Sequence, residues 1–271
     1  MTADFHQATG VLADLSMLRV QTSGPIVHLH LNRPAKRNAI SDELIAQIHT
    51  AFVNLPRDAR VAVLSGEGAH FSAGLDLADL GERNVADGLM HSRAWHAAFD
   101  ALQWGAMPVI AVLHGAVVGG GLELASAAHL RVAEHSAFYA LPEGQRGIFV
   151  GGGGSARIPR LIGVARMTDM MLTGRVFDAR EGQAAGISNY LVGEGEGLAK
   201  AFELAHRIAS NAPLSNFAIT QALPRIADST QANGLFVEAL MSAIAQGEDA
   251  AKERVLAFLD KRAGKVAKTS H

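Results

Sequence analysis

The chain is 271 residues long, with 28 glycines, no cysteine, and 24 Lys and Arg against 26 Asp and Glu for a formal net charge of −2. Apolar residues make up 49% and charged residues 18%. That balance excludes a disordered chain, and the missing cysteine excludes a disulfide scaffold, thiolate catalysis and thiolate metal ligands. The basic surplus of a nucleic-acid binder is absent too, and a chain of this length buries roughly 70–75% of its unfolded surface, enough for one large domain.

Met1 to Ser23 interleaves Asp4, His6, Asp14 and Arg19 with apolar residues and has no continuous apolar run of the secretory type. Ile26 to Leu31 reads as a strand that ends at Asn32-Arg33-Pro34. Ser41 is placed as the N-cap of a helix whose Leu44, Ile45, Ile48, Ala51 and Phe52 share one face. Val61 to Ser65 is a short buried strand broken by Gly66-Glu67-Gly68, and Phe71 to Leu77 is a loop. His91 to Trp104 follows the helical period, with Trp95, Phe99 and Leu102 on one side. Residues 101–122 carry no Asp, Glu, Lys or Arg, a length that a membrane span would need. Pro108 and Gly119 to Gly121 break that stretch, and broken backbone in lipid leaves polar groups unsatisfied. A strand from Val109 to Leu113, a turn and a helix from Leu122 fit it better, followed by a strand from Leu130 to Ala133. With no targeting segment and no span, the expectation is a cytoplasmic protein without membrane or nucleic-acid partners.

Strands and helices alternate to about Tyr190, which indicates an α/β fold. After Val192 the strands stop. Leu198 to Ser210, Pro213 to Ala227, Ala232 to Gln246 and Asp249 to Arg262 read as amphipathic helices, which divides the chain into 1–196 and 197–271.

The generic fingerprints GxGxxG, GxxxxGK[ST] and GxSxG are missing, and the 12 histidines include no HExxH and form no tight cluster with carboxylates. Glycine is unevenly spread: 11 of the 28 lie between Gly115 and Gly163. Gly119-Gly120-Gly121 stands between an apolar strand and a helix start, where free N–H groups and the helix dipole favour an oxyanion. Phe71-Ser72-Ala73-Gly74-Leu75-Asp76-Leu77 is a second small-residue loop after a strand. One N–H from each loop would make an oxyanion hole; two tight turns with close packing would leave the same pattern.

The order of several segments then resembles the crotonase superfamily, the enoyl-CoA hydratase/isomerase family. They are Leu31-Asn32-Arg33-Pro34 with Asn38-Ala39, the Phe71–Leu77 loop, His114-Gly115 with Gly119 to Leu124, Leu141-Pro142-Glu143, Arg157 to Gly163, Leu172 to Arg175, and Ala257 to Arg262. The resemblance covers nearly the whole chain. It implies a spiral of ββα units with a C-terminal helical trimerisation region, a homotrimer or a homohexamer built as a dimer of trimers, and an acyl-CoA thioester as substrate. No separate cofactor and no metal are implied, since coenzyme A is part of the substrate.

By resemblance the oxyanion hole is made by the backbone N–H groups of Leu75 and Gly120, with Ala73, Gly74 and Asp76 in the thioester-binding loop. Glu123 and Glu143, 20 positions apart, match the two glutamates of the family's hydratases. Glu143 would exchange the proton at the α-carbon, and Glu123 would hold and help activate the water. Isomerases of the family usually keep one of the two, so isomerase, hydrolase or lyase chemistry ranks second, and a catalytically idle assembly protein of the same fold third. Arg33, Lys36 and Arg37 lie in the loop that approaches the nucleotide in relatives, and Phe258 and Lys261 match C-terminal CoA contacts. Leu89, Met90, Trp95 and Trp104 are candidates for an acyl pocket; ordinary core is the plainer role for such residues. After Asp76-Leu77 the chain departs from the pattern of simple hydratases, and the run Gly151 to Gly154 is longer than usual.

Overall fold

The computed structural model describes residues 4–79, 81 and 84–260. In chain order its strands are β1 (His6–Gln7), β2 (Leu18–Ser23), β3 (Ile26–Leu31), β4 (Val61–Gly66), β5 (Val109–Leu113), β6 (Ala116–Val118), β7 (Leu130–Glu134), β8 (Phe138–Ala140), β9 (Phe177–Asp178) and β10 (Tyr190–Val192). The α-helices are α1 (Asp42–Val53), α2 (Val85–Gln103), α3 (Gly120–Ala127), α4 (Gly154–Ile162), α5 (Val164–Thr173), α6 (Ala179–Ala185), α7 (Gly197–Ala209), α8 (Pro213–Phe217), α9 (Leu223–Ala227), α10 (Gln231–Gly247) and α11 (Asp249–Leu259). The main sheet runs β1-β2-β3-β4-β5-β7-β10, antiparallel across its first three strands and parallel beyond them. A smaller sheet runs β6-β8-β9. The expected α/β fold of the crotonase type is present.

The parallel strands are apolar on both faces because both are covered. Val27, Leu29 and Leu31 join Ala62, Leu64, Ala111 and Leu113 in the core that holds α1, α2 and α3. The alternate residues Ile26, Val61, Val63, Ile110, Val112 and Val132 meet Ala201, Leu204 and Ala205 of α7. The two-residue period fixes the register, with Ile26 opposite Val61 and Val63 opposite Ile110.

Ser41 caps α1 as its sequence indicates, its Oγ accepting from Leu44 N at 3.2 Å. α2 begins at Val85, six residues before the expected His91, because the Asn84 side chain caps it, accepting from Asp87 N at 2.9 Å. The expected continuous helix from Pro213 to Ala227 is instead α8, a wider π-helical turn over Ala218–Ala222, and α9. Pro224 has no N–H to donate and its ring clashes with the carbonyl four residues back, which opens the turn before it.

Two compact units divide after Ala209. The first therefore includes α7, which the composition placed with the later helices. The second holds α8 to α11, where Thr230 caps α10 through Asn233 N. Among the described residues no helix is long and apolar enough to cross a membrane.

Candidate active site

Two segments of the first unit converge beside the N-terminus of α3. One is the loop after β4. Ser72 N donates to Ala116 O at 2.9 Å and Val118 N to Ser72 O at 3.1 Å, which stitches the loop to β6. Ile40 N donates to Gly74 O at 2.7 Å and Asp76 N to Ile40 O at 2.9 Å. This parallel bridge uses the amide after Leu75 and the carbonyl before it, so the Leu75 N–H points away from Ile40. Gly74 sits at φ +90°, and a Cβ there would stand 2.6 Å from Val118 O. Only glycine lets the loop lie this close to the start of α3.

The other segment is Gly119-Gly120-Gly121. Gly119 N donates to Ala140 O at 2.9 Å, and Gly120 then opens α3, so its N–H is one of the helix's orphan donors. A Cβ at Gly120 would stand 3.5 Å from Leu75 N and 2.7 Å from the Trp95 ring. The amides of Leu75 and Gly120 are thus neighbours at the positive end of a helix, with an indole beside them.

Both sequence-selected glutamates open on the same pocket, a cavity of about 280 Å3 that Ala73, Gly74, Leu75 and Gly120 also line. Glu123, in the first turn of α3, is 3% exposed. Its Oε1 accepts from Gly152 N and Gly154 N, both at 2.8 Å. Burial pushes its carboxyl up to about 7 against these amides, and repulsion from Glu143 adds to the rise. Glu143 follows Pro142 and precedes a 3-10 turn over Gly144–Arg146, with its carbonyl accepting from Arg146 N and Ile148 N at 3.0 Å. It is 7% exposed, and its Oε2 is buried without a hydrogen-bond partner. Burial raises its carboxyl as well, opposed by its own backbone amide and by the Arg146 guanidinium. The Gly119 backbone lies against Glu143, where a Cβ would be 2.6 Å from Oε1.

Arg157 braces the loop that holds Glu123. Its Nη1 donates to Gly152 O at 3.1 Å, its Nε to Gln103 Oε1 at 2.6 Å and its Nη2 to Asp100 Oδ1 at 2.6 Å. The glycine run has no room for side chains on this side, since a Cβ at Gly154 would stand 2.7 Å from Glu123 Cγ.

Other residues selected from the sequence fall elsewhere. Arg33 and Asp76 bind each other at 2.9 Å, and Arg33 also donates to Ala39 O, so the pair braces the loop from behind. The Arg33 guanidinium holds the Asp76 carboxyl below the usual range. Neither residue lines the pocket. Lys36 is exposed in a short turn, and Arg37 is exposed beside it in a left-handed conformation. Trp95 lines the pocket, whereas Leu89 and Met90 are exposed outside it and Trp104 is not in its wall. Phe258 falls in α11 but its side chain lies outside the described part, and Lys261 lies outside the described residues. Sequence reasoning missed the Gly152 and Gly154 amides and the Arg157 brace; the unusual glycine run was the available signal. No group of His, Asp and Glu able to hold a metal occurs among the described residues.

A spiral α/β core that brings two backbone donors and two buried carboxyls to one pocket defines a crotonase-fold enzyme. The family profile described as Enoyl-CoA hydratase/isomerase matches residues 21–267, and the chain belongs to that family. A crystal structure from Rhodopseudomonas palustris CGA009, of a protein provisionally named enoyl-CoA hydratase, is similar at 56% identity and TM-score 0.89, over 94% of this chain and 98% of that one. Enoyl-CoA hydratase EchA19 of Mycobacterium tuberculosis is 31% identical over 249 residues, 90% of this chain and 94% of its own. Carnitinyl-CoA dehydratase of Salmonella enteritidis PT4 is 36% identical over 207 residues, 75% of this chain and 78% of its own.

Proposed function

We propose that the protein is an enoyl-CoA hydratase, adding water across the 2,3 double bond of an enoyl-CoA thioester to give a 3-hydroxyacyl-CoA. The observation that carries this reading is the pair of buried carboxyls, Glu123 and Glu143, on the pocket that also receives the Leu75 and Gly120 amides. The thioester oxygen would accept from both N–H groups, which stabilise the enolate as negative charge moves onto it. Glu123, ionised and fixed by Gly152 and Gly154, takes a proton from the water that attacks C3. Glu143 delivers a proton to C2. Hydroxyl and hydrogen both come from water and the carboxyl pair, which re-equilibrates with solvent, so the reaction needs no oxidant and no cofactor beyond the CoA of the substrate.

Exposed apolar side chains on α10, among them Leu235, Phe236 and Leu240, support assembly of copies into a trimer or hexamer. The relatives named as hydratases and as a dehydratase of CoA esters support the substrate class. Hydration of crotonyl-CoA, followed by the loss of its conjugated absorbance, tests the reading. Glu143→Gln and Glu123→Gln should each lower kcat/KM by about 10²–10⁴. Unchanged activity in Glu143→Gln would overturn the assignment of roles.

A further inference from the structure

The Trp95 indole stands between the two backbone segments that build the site. Its six-membered edge faces Gly120, where a Cβ would be 2.7 Å from Cζ3 and 2.9 Å from Cη2. The same edge faces Gly152, where a Cβ would be 2.9 Å from Cε3. In the hydration reading the Gly120 N–H is one oxyanion donor, and Gly152 N holds Glu123 Oε1 at 2.8 Å. Glycine at both positions lets the ring lie against bare backbone, so in a close-packed wall the ring sets where those amides stand. Phe99 supports the indole edge-to-face, with ring centroids 5.6 Å apart.

The N–H holds the ring in rotation. Trp95 is 3% exposed, and a buried indole N–H takes a hydrogen-bond partner. Here Nε1 donates to His91 Nε2 at 3.2 Å, one turn earlier on α2. The same Nε2 is 2.8 Å from Asp42 Oδ1, at the start of α1. With a proton Nε2 donates to Asp42, and with a lone pair it accepts from the indole, so it serves one of the two at a time. A glutamine amide carries its donor and its acceptor on separate atoms and has no such conflict.

Resting on the reading of the pocket as a hydratase site, we infer that His91 is a positioning residue for the oxyanion hole: its Nε2, by taking the Trp95 N–H, keeps the indole edge against Gly120 and Gly152. It moves no proton in the reaction. Without it the indole turns and the Gly120 amide shifts. The Leu75 amide stays in place, because Ile40 holds its loop through Gly74 O and Asp76 N. The two donors then no longer converge on one oxygen.

The test compares His91→Leu, His91→Asn and His91→Gln with the wild-type chain. It measures kcat and KM for crotonyl-CoA, and the infrared C=O stretch of bound butyryl-CoA labelled with 13C at the thioester carbonyl. Two convergent donors lower that stretch relative to the free thioester. Leucine and glutamine are good helix formers, so both variants should keep α2, which circular dichroism checks. His91→Leu should lower kcat about tenfold, with KM within about threefold, and lose part of the stretch shift. Asparagine is too short to reach the indole and should behave like leucine, which keeps the test intact if His91→Leu fails to fold. His91→Gln should stay within about twofold of wild type, or exceed it, and keep the shift. Wild-type kcat and stretch in the folded leucine or asparagine variant would overturn the inference while leaving hydration standing. So would a loss of kcat with an unmoved stretch, or a glutamine variant no better than leucine. Stretch changes in the expected order, without hydration of any enoyl thioester by the wild type, would overturn the hydratase reading and keep His91 as the positioning residue.

Discussion

The two faces of the main sheet bury titratable groups in opposite ways. On the face that packs against α7, His28 Nε2 meets Ser65 Oγ at 2.9 Å, and Ser65 Oγ meets His30 Nδ1 at 3.1 Å. Burial lowers His28 to about 2 and His30 to about 4, with Arg19 adding to both. These histidines are neutral and lie side by side, and the His28 ring meets Phe5 and Phe202 edge-on. On the other side of the molecule's core Glu123 and Glu143 are as deeply buried, yet they open on a cavity and Glu143 Oε2 has no partner. Burial of a titratable group alone therefore does not mark a site. An unsatisfied carboxylate oxygen beside unused backbone donors, facing space, does.

The sharpest way to break this contrast, after the glutamate substitutions, is at the backbone donors. Gly120→Ala places a methyl 2.7 Å from the Trp95 ring and 3.5 Å from Leu75 N, so the two donors can no longer share one oxygen. It should lower kcat by roughly 10²–10³ with the fold retained by circular dichroism. His28→Gln, on the opposite face, should leave kcat/KM within about twofold, since no step uses it.

A smaller effect is expected at Arg157. Arg157→Gln releases Gly152 O and removes a positive charge that favours ionised Glu123. We expect kcat to fall by about tenfold, with the acid limb of its pH profile moved upward from near 7. Arg157→Lys should restore the position of the limb more than the rate, because lysine keeps the charge without the planar fork. Loss of rate without a moved limb would make Arg157 merely structural.

The smallest effects are on stability, and they have opposite signs. Glu123 has its folded value raised to about 7 from 4.5. The unfolded chain releases that proton first, so this group lowers stability as pH rises through the interval. His28 and His30 have folded values lowered from 6.5. Their contribution is present above 6.5 and is lost as pH falls toward about 4. Melting temperatures of Glu123→Gln should lack the decline between pH 4.5 and 7, and those of His28→Gln should show a shallower loss between pH 6.5 and 4. Relative to wild type, the slope with rising pH should become more positive in Glu123→Gln and less positive in His28→Gln, and changes of the same sign in both variants would contradict the two burial directions.

Much of this was legible in the sequence because it is local. The period-two strands, the Ser41 cap and the helix start after Gly119-Gly120-Gly121 depend on neighbours a few residues away. The Phe71–Leu77 loop and the glutamate pair became legible through a family resemblance, and the geometry brings Leu75, Gly120, Glu123 and Glu143 to one pocket. Long-range partners were hidden. Gly152 and Gly154 lie about 30 residues from the glutamate they hold, and donate through backbone amides that no residue type announces. The partner of Arg33 is hidden in the same way, since Asp76 stands 43 residues away in the chain. The early start of α2 rests on the Asn84 cap, whose side chain the apolar period does not register.

The central claim, that this pocket moves water onto an enoyl thioester, is tested most directly by incubating the enzyme with a 2-enoyl-CoA in 18O-labelled water and weighing the products. Hydration predicts one 18O atom in an intact 3-hydroxyacyl-CoA, gained by the wild type and not by Glu143→Gln. A shifted double bond without 18O, or free CoA with 18O in the released carboxylate, would contradict it.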